Sequence, residues 1–157
     1  MVPPGATILP DTTVYIDQLK GDLPSAIIDL IATQPVQHGA PALSELAAAI
    51  GYLDPSDRRT PTNLQPIIEI LERIPPQMII VPSDQAWIEA SILSGILART
   101  QRIAKPERRK LLNDALLFLM AAESNAILIS RNSRDMDLLL QIKPGVGVLL
   151  YLRSMHA

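Results

Sequence analysis

Residues 114–152 read DALLFLMAAESNAILISRNSRDMDLLLQIKPGVGVLLYL, and the alternation of elements within this stretch decides the fold class. Asp114–Ser124 is rich in alanine and leucine and reads as the most apolar helix of the chain. Ala126–Ser130 is a short run with β-rich character, Ser133–Gln141 returns to a short helix, and Val146–Leu152 forms a final strand. Strands separated by single helices imply an α/β sandwich around a largely parallel sheet.

Working outward, the same alternation continues toward the N-terminus. Ala6–Leu9 is a buried first strand that stops at Pro10-Asp11, so that its carboxyl end delivers Asp11, and Thr12–Leu19 turns into a short helix. Helices are predicted at Pro24–Ala32, Ser44–Tyr52, Thr62–Ile74 and Ser83–Thr100, with Ser44 as an N-cap and Gly51 near the end of its helix. Weak strands are predicted at Val36–Ala40 and Met78–Val81, and Asp54–Pro61 reads as polar linker. Fourteen scattered prolines punctuate these elements.

Composition narrows the possible functions. With 157 residues, 48% hydrophobic and 19% charged, the chain is sized for one packed domain and is not a disordered one. No cysteine is present, which excludes disulfides and thiolate metal sites, so any metal must be held by oxygen or by His38 and His156. The two histidines read as surface residues, while oxygen ligands point to magnesium or manganese. The longest apolar run, Ala115–Ala122, falls well short of the roughly 18 residues of a membrane span, and no leader-like start is evident, so a cytoplasmic location is expected. A net charge of −2 argues against nucleic-acid binding by the whole surface and directs attention to local charge.

Four acids lie beside apolar elements and near predicted helix starts: Asp11, Glu45, Asp114 and Asp135. Ligands of open α/β sheets bind outside the carboxyl ends of the strands, where Asp11 and Asp135 both project. Glu45 and Asp114 join them if their helix starts face the same edge. Each acid taken alone is better explained by ordinary first-turn capping and dipole chemistry, above all in Ser44-Glu45 and Ser133-Arg134-Asp135.

The ordered set of local patterns resembles the PIN-domain family, in particular the VapC-type toxins of bacterial toxin–antitoxin pairs, over nearly the whole chain. Ile8-Leu9-Pro10-Asp11-Thr12-Thr13-Val14-Tyr15-Ile16-Asp17 is similar to the family's opening strand and Asp-Thr-Asn/Ser-Val block. Leu43-Ser44-Glu45-Leu46 with Gly51 resembles its second block, and Asn113-Asp114-Ala115-Leu116 its third. Ile127-Leu128-Ile129-Ser130-Arg131-Asn132-Ser133-Arg134-Asp135-Met136 resembles the Leu-Val-Thr-Arg-Asn-x-x-Asp-Phe block, the most specific of the four. Thr13, Pro10 and Met136 depart from the usual residues, and none of these departures removes a carboxylate.

The resemblance implies one PIN-like domain over residues 1–157, built as a three-layer α/β/α sandwich. It implies a metal-dependent endoribonuclease, with Asp11, Glu45, Asp114 and Asp135 as catalytic acids, Asp11 and Asp114 as direct ligands of Mg2+ or Mn2+, and Thr12 and Asn132 as polar support. It also implies an RNA substrate, a cognate antitoxin and a homodimer, for which the helices at 24–32 and 61–74 offer apolar faces. A basic segment, with Arg102, Lys105, Arg108 and Arg109 as its RNA-binding candidates beside Arg99 and Lys110, is opposed only by Glu107. It reads as a phosphate grip, as an antitoxin-facing patch, or as a solvated surface. The alternative to an enzyme is a non-catalytic PIN-like module that binds RNA or protein. A haloacid dehalogenase-like phosphatase expects an Asp two residues after Asp11, where Thr13 stands.

Overall fold

The structure is a computed structural model that describes residues 2–154. Strand β1 (Ile8–Pro10) pairs in parallel with β4 (Ile127–Ser130), and β4 pairs in parallel with β5 (Val148–Leu150). A second parallel pair is formed by β2 (His38–Gly39) and β3 (Ile79–Ile80). A single bridge between Ile8 and Val36 joins the two groups.

Pro10 accounts for the break between them. Ile8 N–H donates to Pro35 O and Gln37 N–H donates back to Ile8 O, each at 2.9 Å. Continuing that ladder needs the next donor on the same side of β1, at position 10, and proline has none.

Seven α-helices are formed among the described residues: α1 (Thr12–Lys20), α2 (Ser25–Thr33), α3 (Ala40–Tyr52), α4 (Thr60–Arg73), α5 (Asp84–Thr100), α6 (Arg108–Ser124) and α7 (Ser133–Ile142). The side chains of the central strands alternate between two cores, as the pleat requires. Leu9 and Leu128 join the larger core with α3, α5 and α6 residues, whereas Ile8 and Ile129 join Val14, Leu23, Ile27 and Tyr151 on the other face. The expected three-layer α/β/α sandwich with a parallel sheet is the observed architecture. Among the described residues no helix is long and apolar enough to cross a membrane.

Helix α6 is the central brace, with every residue from Asp114 to Ala121 buried. It packs closely enough on β2 that a Cβ at Gly39 would lie 2.5 Å from Leu117 Cδ2, which explains the absent side chain there.

Several predicted boundaries move. Helix α3 begins at Ala40, so Ser44 lies a turn inside the helix instead of capping it, because Pro41 in the first turn starts it earlier. Helix α6 begins at Arg108, so Asp114 is not at a helix start. Helix α7 is capped by Asn132 rather than Ser133. Strand β5 is shorter than predicted, since Leu152 is 86% exposed and outside the ladder.

Candidate active site

Asp11 leaves the carboxyl end of β1 and becomes the N-cap of α1. It is 1% exposed. Its Oδ1 accepts from Thr12 N–H at 2.6 Å, and its Oδ2 accepts from Thr13 Oγ1 at 2.9 Å and from Ser130 Oγ at 2.6 Å. Ser130 is the last residue of β4, so two adjacent strand ends hold one carboxylate.

The other three acids are tied to this point through short polar side chains. Thr12 Oγ1 donates to Glu45 Oε2 at 2.7 Å, which links half-buried Glu45 on α3 to the Asp11 loop. Asn132 spends both amide hydrogens on carboxylates, donating to Asp114 Oδ2 at 2.8 Å and to Asp135 Oδ2 at 2.7 Å. The Asn132 N–H in turn donates to Ser130 Oγ at 3.0 Å. The structure therefore gathers all four predicted acids, and Thr12 and Asn132 are the connectors.

Acidic side chains are concentrated here. Asp114 is buried, and its carboxyl is pushed up to about 9, first by burial, then by Asp11, with Lys110 opposing and Asp135 reinforcing the shift. Neither Asp11 nor Asp114 forms a salt bridge among the described residues. Tyr15, under the same loop, is held above the ordinary phenol range by burial and by Asp11.

Two small clefts flank the acids. One of about 150 Å3 is lined by Asn132, Asp135, Arg134 and Lys110, and another of about 190 Å3 by Glu45, Asn113, Arg109 and Lys110. Lys110, one turn before Asp114 on α6, borders both.

The donor set is all oxygen, as magnesium or manganese prefers. Among the described residues no three acids or histidines come together as a compact ligand group. Two buried carboxylates still suit magnesium, which keeps several of its waters.

No family model and no curated protein matches the chain at the level of sequence. Solved structures do match its fold. DNA-bound VapBC from Salmonella typhimurium aligns with a TM-score of 0.63 and 17% identity, covering 94% of this chain and 99% of that one. VapBC2 from Rickettsia felis, bound to a DNA fragment from its promoter, aligns at 0.62 and 16%, covering 93% and 99%. VapBC-5 from Mycobacterium tuberculosis, of the VapBC family of toxin–antitoxin systems, aligns at 0.54 and 18%, covering 92% and 97%. The fold is PIN-like.

Within this PIN-like fold the basic segment divides. Arg102 and Lys105 are exposed between α5 and α6, Arg102 with a left-handed backbone (φ 52°). Arg109 borders the Glu45 cleft, whereas Arg108 turns to a groove between α5 and α6 and donates from Nε to Ile103 O at 3.3 Å. His38 is half-buried and bonded through Nδ1 to Tyr15 OH at 2.6 Å, so it is not the surface residue expected. Its position beneath the Asp11 helix follows from β2, which the sequence signals only weakly. His156 lies outside the described residues.

A second buried acidic centre lies at Asp17, the residue that closes the block resembling the family's opening. Asp17 on α1 is fully buried and accepts from Arg131 Nε at 2.7 Å, Tyr151 OH at 2.9 Å and Arg153 Nε at 3.0 Å. It locks the start of α7 and the end of β5 to α1. Its partners lie 114 to 136 positions away, so only the tertiary fold brings them together.

Proposed function

We propose that this chain is a divalent-metal-dependent endoribonuclease and the toxin of a toxin–antitoxin pair. The observation that carries the reading is the convergence of Asp11, Glu45, Asp114 and Asp135 at one sheet edge, with neither buried carboxylate in a salt bridge among the described residues. Buried acids are ordinarily paired or bound to metal. The likeness in fold to chains from VapBC complexes supports the same reading.

In this proposal Asp11 and Asp114 hold Mg2+ or Mn2+. The ion, when bound, neutralises the phosphate and makes water a competent nucleophile near neutral pH. Ser130, Thr13 and Thr12 fix the Asp11 carboxylate in one orientation, and Asn132 does the same for Asp114 and Asp135. Glu45 and Asp135 line the open clefts, and as carboxylates they would accept the proton that an attacking water gives up. Lys110 and Arg109 draw the phosphodiester toward the acids. RNA, an antitoxin and a second copy of the chain are the partners that belong to this reading.

The test compares the purified chain, stripped of any partner, with Asp11→Asn on RNA in the presence and absence of magnesium or manganese. Metal-dependent cleavage by the natural chain alone is expected. Equal cleavage by both proteins sinks the mechanism.

One observation favours a second reading, a non-catalytic PIN-like module that binds RNA or protein: no compact group of three ligands is formed among the described residues. RNA binding without cleavage under any divalent metal would select it.

A further inference from the structure

A groove of about 630 Å3 runs between α5 and α6. Its floor is made of small residues, Ser91, Ser94, Gly95 and Ala98, and its walls carry Arg99 from the end of α5 and Arg108 and Arg109 from the first turn of α6. No carboxylate lines it, and none of the three guanidinium groups forms a salt bridge among the described residues. Arg109 also lines the cleft that holds Glu45, so one side chain borders both the groove and the cleft beside the acids.

We infer that this groove is a track for the sugar–phosphate backbone of a single-stranded RNA leading to that centre, an inference that rests on the nuclease reading above. Three guanidinium groups without a carboxylate partner among the described residues, in a chain of net charge −2, are complementary to a polyanion, and arginine's planar fork matches phosphate oxygens. A floor without bulky side chains admits a backbone. Leu112 is the one large apolar residue in the lining, too little for a protein helix that needs an apolar seat. No aromatic ring lines the groove for bases to stack on, so binding there reads the backbone and not the sequence.

The experiment titrates the full chain, in chelator so that no cleavage occurs, into a short fluorescein-labelled single-stranded RNA at several salt concentrations. The proteins compared are the natural chain, Arg99→Gln, Arg99→Gln/Arg108→Gln, and Arg58→Gln, which changes an exposed arginine in the turn before α4. The double variant is expected to bind roughly tenfold more weakly, with a log–log salt slope shallower by about 1.4, at about 0.7 per lost phosphate contact on a single strand. Arg99→Gln is expected to show about half of that change in slope. It keeps the test decisive if losing the Arg108 bond to Ile103 O perturbs folding. Arg58→Gln is expected to follow the natural chain.

Unchanged affinity and slope in the arginine variants overturn the track, as does failure of the natural chain to bind RNA. Polyglutamate titrated in the same way is the control for an acidic protein partner: arginine-dependent binding of polyglutamate with RNA binding intact in the variants also overturns the track. Cleavage of the same RNA by the natural chain with magnesium or manganese separates the two claims. Arginine-dependent binding without cleavage removes the nuclease reading and leaves the track, whereas cleavage with arginine-independent binding removes only the track.

Discussion

Asp17 and Asp114 are both aspartates on helices and both are buried, yet the fold treats them in opposite ways. Asp17 is surrounded by donors, two arginines and the Tyr151 hydroxyl, so its charge is compensated where it lies. Asp114 has one neutral amide donor, two acidic neighbours, and Lys110 too far away for a salt bridge. A buried charge that the protein neutralises is part of its architecture. One left uncompensated raises the energy of the isolated fold, and a bound cation relieves it. The two centres are only a few residues apart in chemistry, since Thr13 bonds to Asp11 through its hydroxyl and accepts from Arg131 N–H at 3.1 Å.

The largest effect expected from this contrast is on catalysis. Asp11→Asn or Asp114→Asn should lower RNA cleavage roughly a thousandfold, about 4 kcal/mol of transition-state stabilisation, with folding retained. Initial rates at saturating magnesium measure it. A rate within tenfold of the natural chain removes these acids from the chemistry.

Asp17→Asn should do the reverse and attack the fold. Breaking a buried pair costs about 3 kcal/mol at the lower end of its range, appropriate because both arginines keep some access to water, and this lowers the melting temperature by roughly 10 °C. Thermal denaturation in chelator reads this directly. A variant that melts with the natural chain would show that the hub is not structural.

Metal should separate the centres next. At about a hundredfold excess over its dissociation constant, magnesium or manganese is expected to stabilise the natural chain by about 2.7 kcal/mol. The gain should vanish in Asp114→Asn and persist in Asp17→Asn. An equal gain in both variants places the ion elsewhere.

Without metal the contrast becomes a pH dependence. The Asp114 carboxyl, at about 9 in the fold, holds its proton far more tightly than in the unfolded chain. Between the ordinary carboxylate range and pH 9 the folded state therefore binds the extra proton, and stability falls as pH rises. Asparagine mimics the protonated acid, so Asp114→Asn should melt higher than the natural chain at pH 8 in chelator, with the gap closing toward pH 4. A constant gap across that range would contradict the assignment.

These two centres also mark what could be read from the chain alone. Asp11 and Asp135 were legible because each follows a short apolar strand, and strand ends of a parallel sheet share an edge. Glu45 and Asp114 were assigned by resemblance, since neither sits at the helix start that local rules suggested. The start of α6 was hidden because Arg108–Lys110 carries no apolar periodicity. The two-residue strands β2 and β3 are held by pairing with each other and, at Gly39, by the close approach of α6, which local preference does not encode. Asp17 was visible only as the second acid of the family-like block Ile8–Asp17, and its role was hidden because its three partners come from the far end of the chain.

The smallest expected effect sharpens the structural half of the contrast. Arg153 is one of three donors to Asp17, its side chain is 40% exposed, and its approach to Asp22 Oδ2 is long at 3.9 Å. Replacing it by glutamine leaves Asp17 bonded to Arg131 and Tyr151, so the acid is still compensated and no unpaired charge is buried. The cost should be about 1 kcal/mol, a few degrees in melting temperature, as for a partly exposed charged hydrogen bond. Neither the metal-induced gain nor the cleavage rate should move. A loss as large as that of Asp17→Asn would mean that Arg153, not Arg131, neutralises the hub, and that the last described residues are what hold α1 in place.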